Sequence, residues 1–360
     1  MINGAHKRWR TCAGVIAGLL LFALVACGGR SSSSSSHLAY VVGGQTNVVG
    51  LRINDKGATQ PILGSSFVAG NAPSSVVVHP SNKFLFVSNQ GEGTISLFTI
   101  DATSGALTEV LPRTPAGTSP VAMTMDSGGS FLFVANQGAS PSVLVFSIGS
   151  SGALSAVGSP TPLGASPSGI TLTAAGDFLY VPVPNFSAVY AFAVSSGTLT
   201  QLGSPFVVSG GVATVAVDPA GNFLYVPNPS TATVTVLKIT SGALNTGAGA
   251  FAASTSPVAA ATDLSGKYLY VANFGSTTVS QYTIDSTTGA LTAFPSSTTA
   301  PTAGTNATFV VPDPNGKLVY VGNQGSSSIS EFAIKPDGSL TSASNSITLG
   351  VHPRSLALTK

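Results

Sequence analysis

The chain has 360 residues with 14 basic and 12 acidic side chains, 7% of its length, against about 25% charged residues in an average soluble domain. So few charges exclude the basic stripe of a nucleic-acid binder. Hydrophobic residues make up 43%, yet 41 Gly and 23 Pro interrupt them too often for a helical bundle or a multi-span membrane protein, which leaves an all-β protein rich in turns. Lys7, Arg8 and Arg10 lie at the very start, so a chain beginning at Cys27 carries 11 basic against 12 acidic residues, and the net basic character implies no anionic partner.

The first element is an export signal. Lys7 to Arg10 precede an apolar run, Ala13 to Ala26, too short to span a bilayer comfortably and ending at Leu24-Val25-Ala26-Cys27-Gly28. The segment resembles the bacterial lipoprotein signal, and the resemblance implies cleavage before Cys27 and lipidation of its sulfur and amine. Residues 1–26 are then a signal peptide and 27–36 a lipidated Cys with a Ser-rich tether. The membrane would be one partner, and Gly28 after the Cys points to the outer membrane of the cell envelope. Cys12 leaves with the signal, so no disulfide is expected.

Residues 37–360 repeat one strand signature: an aromatic or Leu, an aliphatic residue, Tyr or Phe, then Val. It runs from Leu38-Ala39-Tyr40-Val41 through Phe84-Leu85-Phe86-Val87, Phe131-Leu132-Phe133-Val134, Phe178-Leu179-Tyr180-Val181, Phe223-Leu224-Tyr225-Val226 and Tyr268-Leu269-Tyr270-Val271 to Leu318-Val319-Tyr320-Val321. The third positions fall 46, 47, 47, 45, 45 and 50 residues apart. Each unit contains four strand-like runs, shown by Ser75 to His79, Phe84 to Ser88, Thr94 to Ile100 and Ala106 to Leu111. A polar turn often ending in Gly joins the first two runs, and another Gly, such as Gly57, Gly105 or Gly242, ends the third turn. The expected fold is therefore an all-β, seven-bladed β-propeller with four antiparallel strands per blade over 37–360. Nothing like Ser75 to His79 precedes Leu38, whereas Pro353 to Leu358 aligns with Pro73 to Val78, so the C-terminal strand closes the first blade.

Phe86-Val87-Ser88-Asn89, Phe133-Val134-Ala135-Asn136, Tyr270-Val271-Ala272-Asn273 and Tyr320-Val321-Gly322-Asn323, with the Asp-x-x-Gly and Ser/Thr-Gly-x-Leu turns, resemble the bacterial seven-bladed lactonase family, 6-phosphogluconolactonase-like proteins included, and the related YVTN-repeat propellers. The resemblance implies a site gathering Arg, His and acidic side chains at the mouth of the axial channel.

Opening a lactone takes a polarised carbonyl, an activated water and a proton acceptor. In a four-stranded blade the loops between strands two and three share a face with the connections between blades, and propellers hold ligands there. All nine Asp, including Asp55, fall in or beside turns of the opposite face, where a carboxylate accepts turn N–H groups. Glu109 and Glu331 are expected on outer, solvated strands. Glu92 is the one acid on the binding face and His352 the one histidine, with Pro353-Arg354 following. The other blades offer only Ser74, Val121, Ser168, Ala213, Val258 and Ala307 near the position of Arg354. The catalytic candidates are thus His352, Arg354 and Glu92. A second set, Asn89, Gln90, Asn136, Gln137, Asn228, Asn273, Phe274, Asn323 and Gln324, would form a ring of carboxamides with a stacking surface for a carbohydrate or peptide. The plainer reading of the Asn residues is strand termination, with the ligand-facing ring as the alternative. No metal, cofactor or nucleic-acid partner is expected, and the chain is expected to be monomeric. These features support a lipid-anchored extracytoplasmic binding or interaction module, with a sugar lactonase and a structural envelope protein of the YVTN-repeat kind as alternatives.

Overall fold

The aromatic-aliphatic signature forms the second strand of every sheet, and its residues are buried on both sides. The computed structural model describes residues 37–54, 59–295, 302–343 and 346–360. The signal segment 1–26, Cys27 and its tether, and Asp55 and Gly57 lie outside them. Seven antiparallel sheets form the blades, and in blade 2 the order from the axis outward is Pro73–Val78, Phe84–Asn89, Thr94–Ile100 and Leu107–Pro115. The outermost strand is broken into two segments in blades 1, 3, 4 and 7, as at Thr59–Pro61 and Phe67–Val68. Interrupting an outer strand this way shortens the unpaired edge it offers to another chain.

A strand covered on both faces needs a continuous apolar run rather than alternation, and the packing shows why the signature has that form. Leu38, Tyr40 and Val42 face blade 2, beside Val76, Leu85, Val87 and Phe98. The intervening Ala39 and Val41 face blade 7, beside Tyr320 and Ile329. Every hydrophobic cluster is shared in this way by two neighbouring blades. Where the third signature residue is Tyr, its hydroxyl can tie the next blade: Tyr40, Tyr180 and Tyr270 donate to the carbonyls of Gly105, Gly242 and Gly338 at 2.8, 3.0 and 2.8 Å. Burial pushes these phenols well above their ordinary pKa, so they remain neutral donors. The turn glycines that accept them have positive φ, between +77° and +84°, which favours glycine.

Ser355–Leu358 is the innermost strand of blade 1 and pairs antiparallel with His37–Val42, Ala39 opposite Leu358 and Val42 opposite Ser355. The expected closure is therefore observed. Thr359 reinforces it: its N–H donates to Leu38 O at 2.9 Å, its hydroxyl accepts from Leu38 N at 2.9 Å, and its carbonyl accepts from His37 Nδ1 at 3.1 Å. Glu331 corrects one expectation. It lies on the third strand of blade 7, Ser328–Ile334, opposite Tyr320, and is 1% exposed rather than solvated, because that strand is packed on both faces.

Candidate functional site

The innermost strands begin at the face that carries the loops between strands two and three. In blade 2 Pro73 pairs with Asn89 and Ser75 with Ser88, which leaves Ser74 as the extra residue of a bulge; blades 6 and 7 repeat this at Val258 and Thr308. Bulges re-aim side chains at the rims of barrels and beside active sites. The equivalent residues in the other blades are Val121, Ser168, Ala213 and Arg354; the N–H of each of the last three donates to the carbonyl one residue before the end of the second strand's Asn position. Ala307, expected in this ring, instead takes the position filled by Pro73 and Pro257, and Thr308 replaces it.

Most of this ring is inert. Ser74, Ser168 and Thr308 spend their hydroxyls on the neighbouring inner strand, donating to Pro120 O, Ala213 O and Pro353 O at 2.6, 2.7 and 2.9 Å. Val121, Ala213 and Val258 are apolar. Arg354 is the one charged member, and its side chain is exposed. Its Nη1 donates to Gln90 Oε1 at 3.0 Å, and Gln90 Nε2 donates in turn to Ser119 Oγ at 3.2 Å, so a carboxamide relay aims the guanidinium.

His352 Nδ1 lies 2.9 Å from Gln324 O and 3.1 Å from Ser327 Oγ. A backbone carbonyl only accepts, so Nδ1 carries a hydrogen; in the neutral ring the lone pair is then on Nε2, which has no partner among the described residues. Gly43 makes room for this segment. A Cβ there would stand 1.8 Å from His352 O, which is why blade 1 has Gly where five of the other six blades have Asn.

Glu92 lies on this face but is engaged elsewhere. Its Oε1 accepts from Thr94 Oγ1 at 2.5 Å and Arg113 Nη1 at 3.1 Å, its Oε2 from Asn71 N at 3.2 Å, and Arg113 also forks onto Glu109. The Thr94 hydroxyl first, then the Asn71 N–H and Arg113, hold the Glu92 carboxyl below its usual range against a smaller opposing effect of burial. It is an ionised member of a surface ion pair, without a proton to give at neutral pH.

The five asparagines are turned inward. Asn89, Asn136, Asn228, Asn273 and Asn323 are at most 1% exposed, so their carboxamides do not face a ligand. Asn89 and Asn323 donate to Ser96 and Ser330 Oγ, Asn273 donates to Ser280 Oγ, and Asn228 accepts from Thr235 Oγ1. The partner hydroxyl stands seven residues after the Asn each time, a signal readable in sequence. Blade 3 lacks it: the register brings Leu144 to that position, and neither polar atom of Asn136 has a partner. Replacing Asn228 by Ala should therefore cost about 2 kcal/mol, since the Gly211 carbonyl and Thr235 hydroxyl lose a buried partner, whereas Asn136→Ala should cost less than about 1 kcal/mol. Urea unfolding of both variants measures the difference.

Of the remaining residues, Gln137 donates to Pro167 O at 2.7 Å, Gln324 is half-buried, and the Phe274 ring is exposed. The opposite face carries the other charges. Asp101, Asp126, Asp218, Asp263, Asp285 and Asp337 accept turn N–H groups there. Lys83, Lys267, Lys317 and Lys335 sit in its turns, Lys238 pairs with Phe223 at the same end, and Lys360 reaches Asn82.

An all-β ring of seven four-stranded sheets, closed by its own C-terminal strand, with His352 and Arg354 exposed on one face, is a seven-bladed propeller. The family model described as lactonase, 7-bladed beta-propeller matches residues 33–163, 206–311 and 300–360, and the chain belongs to that family. The unmatched stretch holds most of blade 4, where Val183 replaces the Asn and a 3-10 turn, Pro184–Phe186, replaces the tight loop. Among solved structures the chain is similar to a Bacteroides fragilis protein assigned as a 6-phosphogluconolactonase, with 22% identity, a TM-score of 0.79 and coverage of 91% of this chain and 99% of that one. It is also similar to the periplasmic gluconolactonase PpgL of Pseudomonas aeruginosa, with 19% identity, a TM-score of 0.77 and coverage of 91% and 99%. At such identities the likeness speaks for the fold. No curated protein matches the chain.

Proposed function

We propose that the protein hydrolyses an unphosphorylated sugar lactone at the channel mouth, with Arg354 and His352 as its catalytic residues. The observation that carries this reading is an exposed guanidinium two residues after an imidazole of fixed tautomer, in a ring otherwise without charge. His352 Nε2 takes a proton from water as the water oxygen bonds to the lactone carbonyl carbon, while Arg354 holds the developing oxyanion. The ring C–O bond then breaks, the proton on Nε2 passes to the departing alkoxide, and the hydroxy acid leaves as its carboxylate, its carboxyl proton going to solvent. Family membership and the name of the Pseudomonas aeruginosa protein, a gluconolactonase, support the reaction class.

A phosphorylated substrate would call for further cations beside Arg354, and the described lysines sit at the other end of the blades. The export signal expected at residues 1–26 and the lipidation expected at Cys27 favour the same choice, since they would keep the protein in the cell envelope. The test is acid release from glucono-δ-lactone by purified residues 37–360. A rate above the spontaneous one is expected, and a rate equal to it would overturn the reading. Should gluconate then bind in an Arg354-dependent way without turnover, the protein is a ligand-binding module. Because Glu92 is already ionised and tied to Arg113, Glu92→Gln should leave the pH profile of hydrolysis unchanged, a result checked by initial rates across the neutral and mildly acidic range.

A further inference from the structure

We propose a second binding site on the same face, a cup between blades 6 and 7 that takes a neutral saccharide. Phe274, 36% exposed, lines it. In three other blades the residue after the buried Asn is Gln90, Gln137 or Gln324, so the propeller does not need an aromatic ring there. The loop carrying it is pinned from below: Phe274 N donates to Ser256 O at 2.8 Å and Gly275 N to Thr255 O at 3.1 Å. The ring is therefore presented by a fixed backbone, and an exposed aromatic on a rigid loop is a stacking platform.

The walls supply the rest of the chemistry. Thr255, Thr277, Thr305 and Asn306 are exposed around the ring, and their side-chain polar atoms have no protein partner among the described residues. The cup holds about 470 Å³, within the roughly 300–1,000 Å³ of small-molecule sites. No ionisable side chain lines it, so a charged ligand gains nothing from entering. Three hydroxyls and a carboxamide offer both donors and acceptors, which match the hydroxyls of a polyol, while the C–H face of a pyranose covers the phenyl ring. The cup is built by blades 6 and 7, whereas Arg354 belongs to blade 1, so the inference stands independently of the hydrolytic reading.

Calorimetric titration of the purified protein with cellotriose, maltotriose and chitotriose tests it. At least one should bind saturably, and Phe274→Gln, which installs the residue three other blades carry and so preserves the loop, should weaken that binding about tenfold or more. Thr255→Ala should weaken it less, and Arg354→Ala should leave it unchanged. The inference is overturned if none of the three sugars binds, if Phe274→Gln binds as well as the parent, if Arg354→Ala abolishes binding, or if a neutral tetra-alanine peptide binds in their place.

Discussion

Truncation after Arg354 should yield a chain with no cooperative thermal transition, because it removes the innermost strand of blade 1 and opens two hydrophobic clusters at once. Leu356 packs into the cluster between blades 7 and 1 with Leu358 beside it, and Ala357 packs against the one between blades 1 and 2. Cutting a buried Leu such as Leu356 back to Ala by itself costs about 2–5 kcal/mol, and a domain has only about 5–15 kcal/mol to lose. The truncation also leaves the N–H and C=O groups of Leu38 and Tyr40, buried in the intact ring and turned toward the lost strand, facing an empty edge. Removing Lys360 alone, whose described bonds go to Asn82, should cost only about 1 kcal/mol. Circular dichroism melts of the two truncations separate these outcomes; a cooperative transition in the longer deletion would show that the ring holds without its clasp.

Arg354→Ala should lower kcat/KM for glucono-δ-lactone by about 10²- to 10³-fold, the usual effect of removing one donor to an oxyanion. The side chain is exposed and its described bond goes to Gln90, while the strand is held by its backbone N–H to Val42 O at 2.8 Å, so the melting temperature should hardly move. Arg354→Lys should recover only part of the rate, since an ammonium lacks the planar fork that grips two oxygens. Gln90→Ala removes the positioning residue and should give a smaller loss, appearing in kcat more than in KM. Equal rates for parent and Arg354→Ala would place the chemistry elsewhere.

The blade count, the four-stranded order and the terminal clasp were legible because a propeller repeats one packing problem, and each repeat solves it with the same buried triplet. Legibility failed where one blade departs from the pattern. Thr308 was hidden because blade 7 has Ala307 in place of the Pro found there in five of the other six blades, which removes the punctuation to count from. Glu331 was misread because a carboxylate suggests solvent, and only the pairing of its strand opposite Tyr320 reveals burial. The direction of the Asn carboxamides depends on a hydroxyl of the adjacent strand, a relation between two positions that neither residue announces alone. Arg354 and His352 stood out as rare ionisable residues, but the Gln90 relay and the tautomer of His352 follow from backbone geometry across blades.

The clasp also dictates when the molecule can become whole. The residues that complete the first blade are made after all the other blades, so a growing chain carries an unfinished first sheet until Ser355–Leu358 emerges. Up to that moment the inner edge of His37–Val42 is open to any other strand nearby. The ring therefore closes in a single late event, and anything that delays Ser355–Leu358 exposes the nascent chain to mispairing.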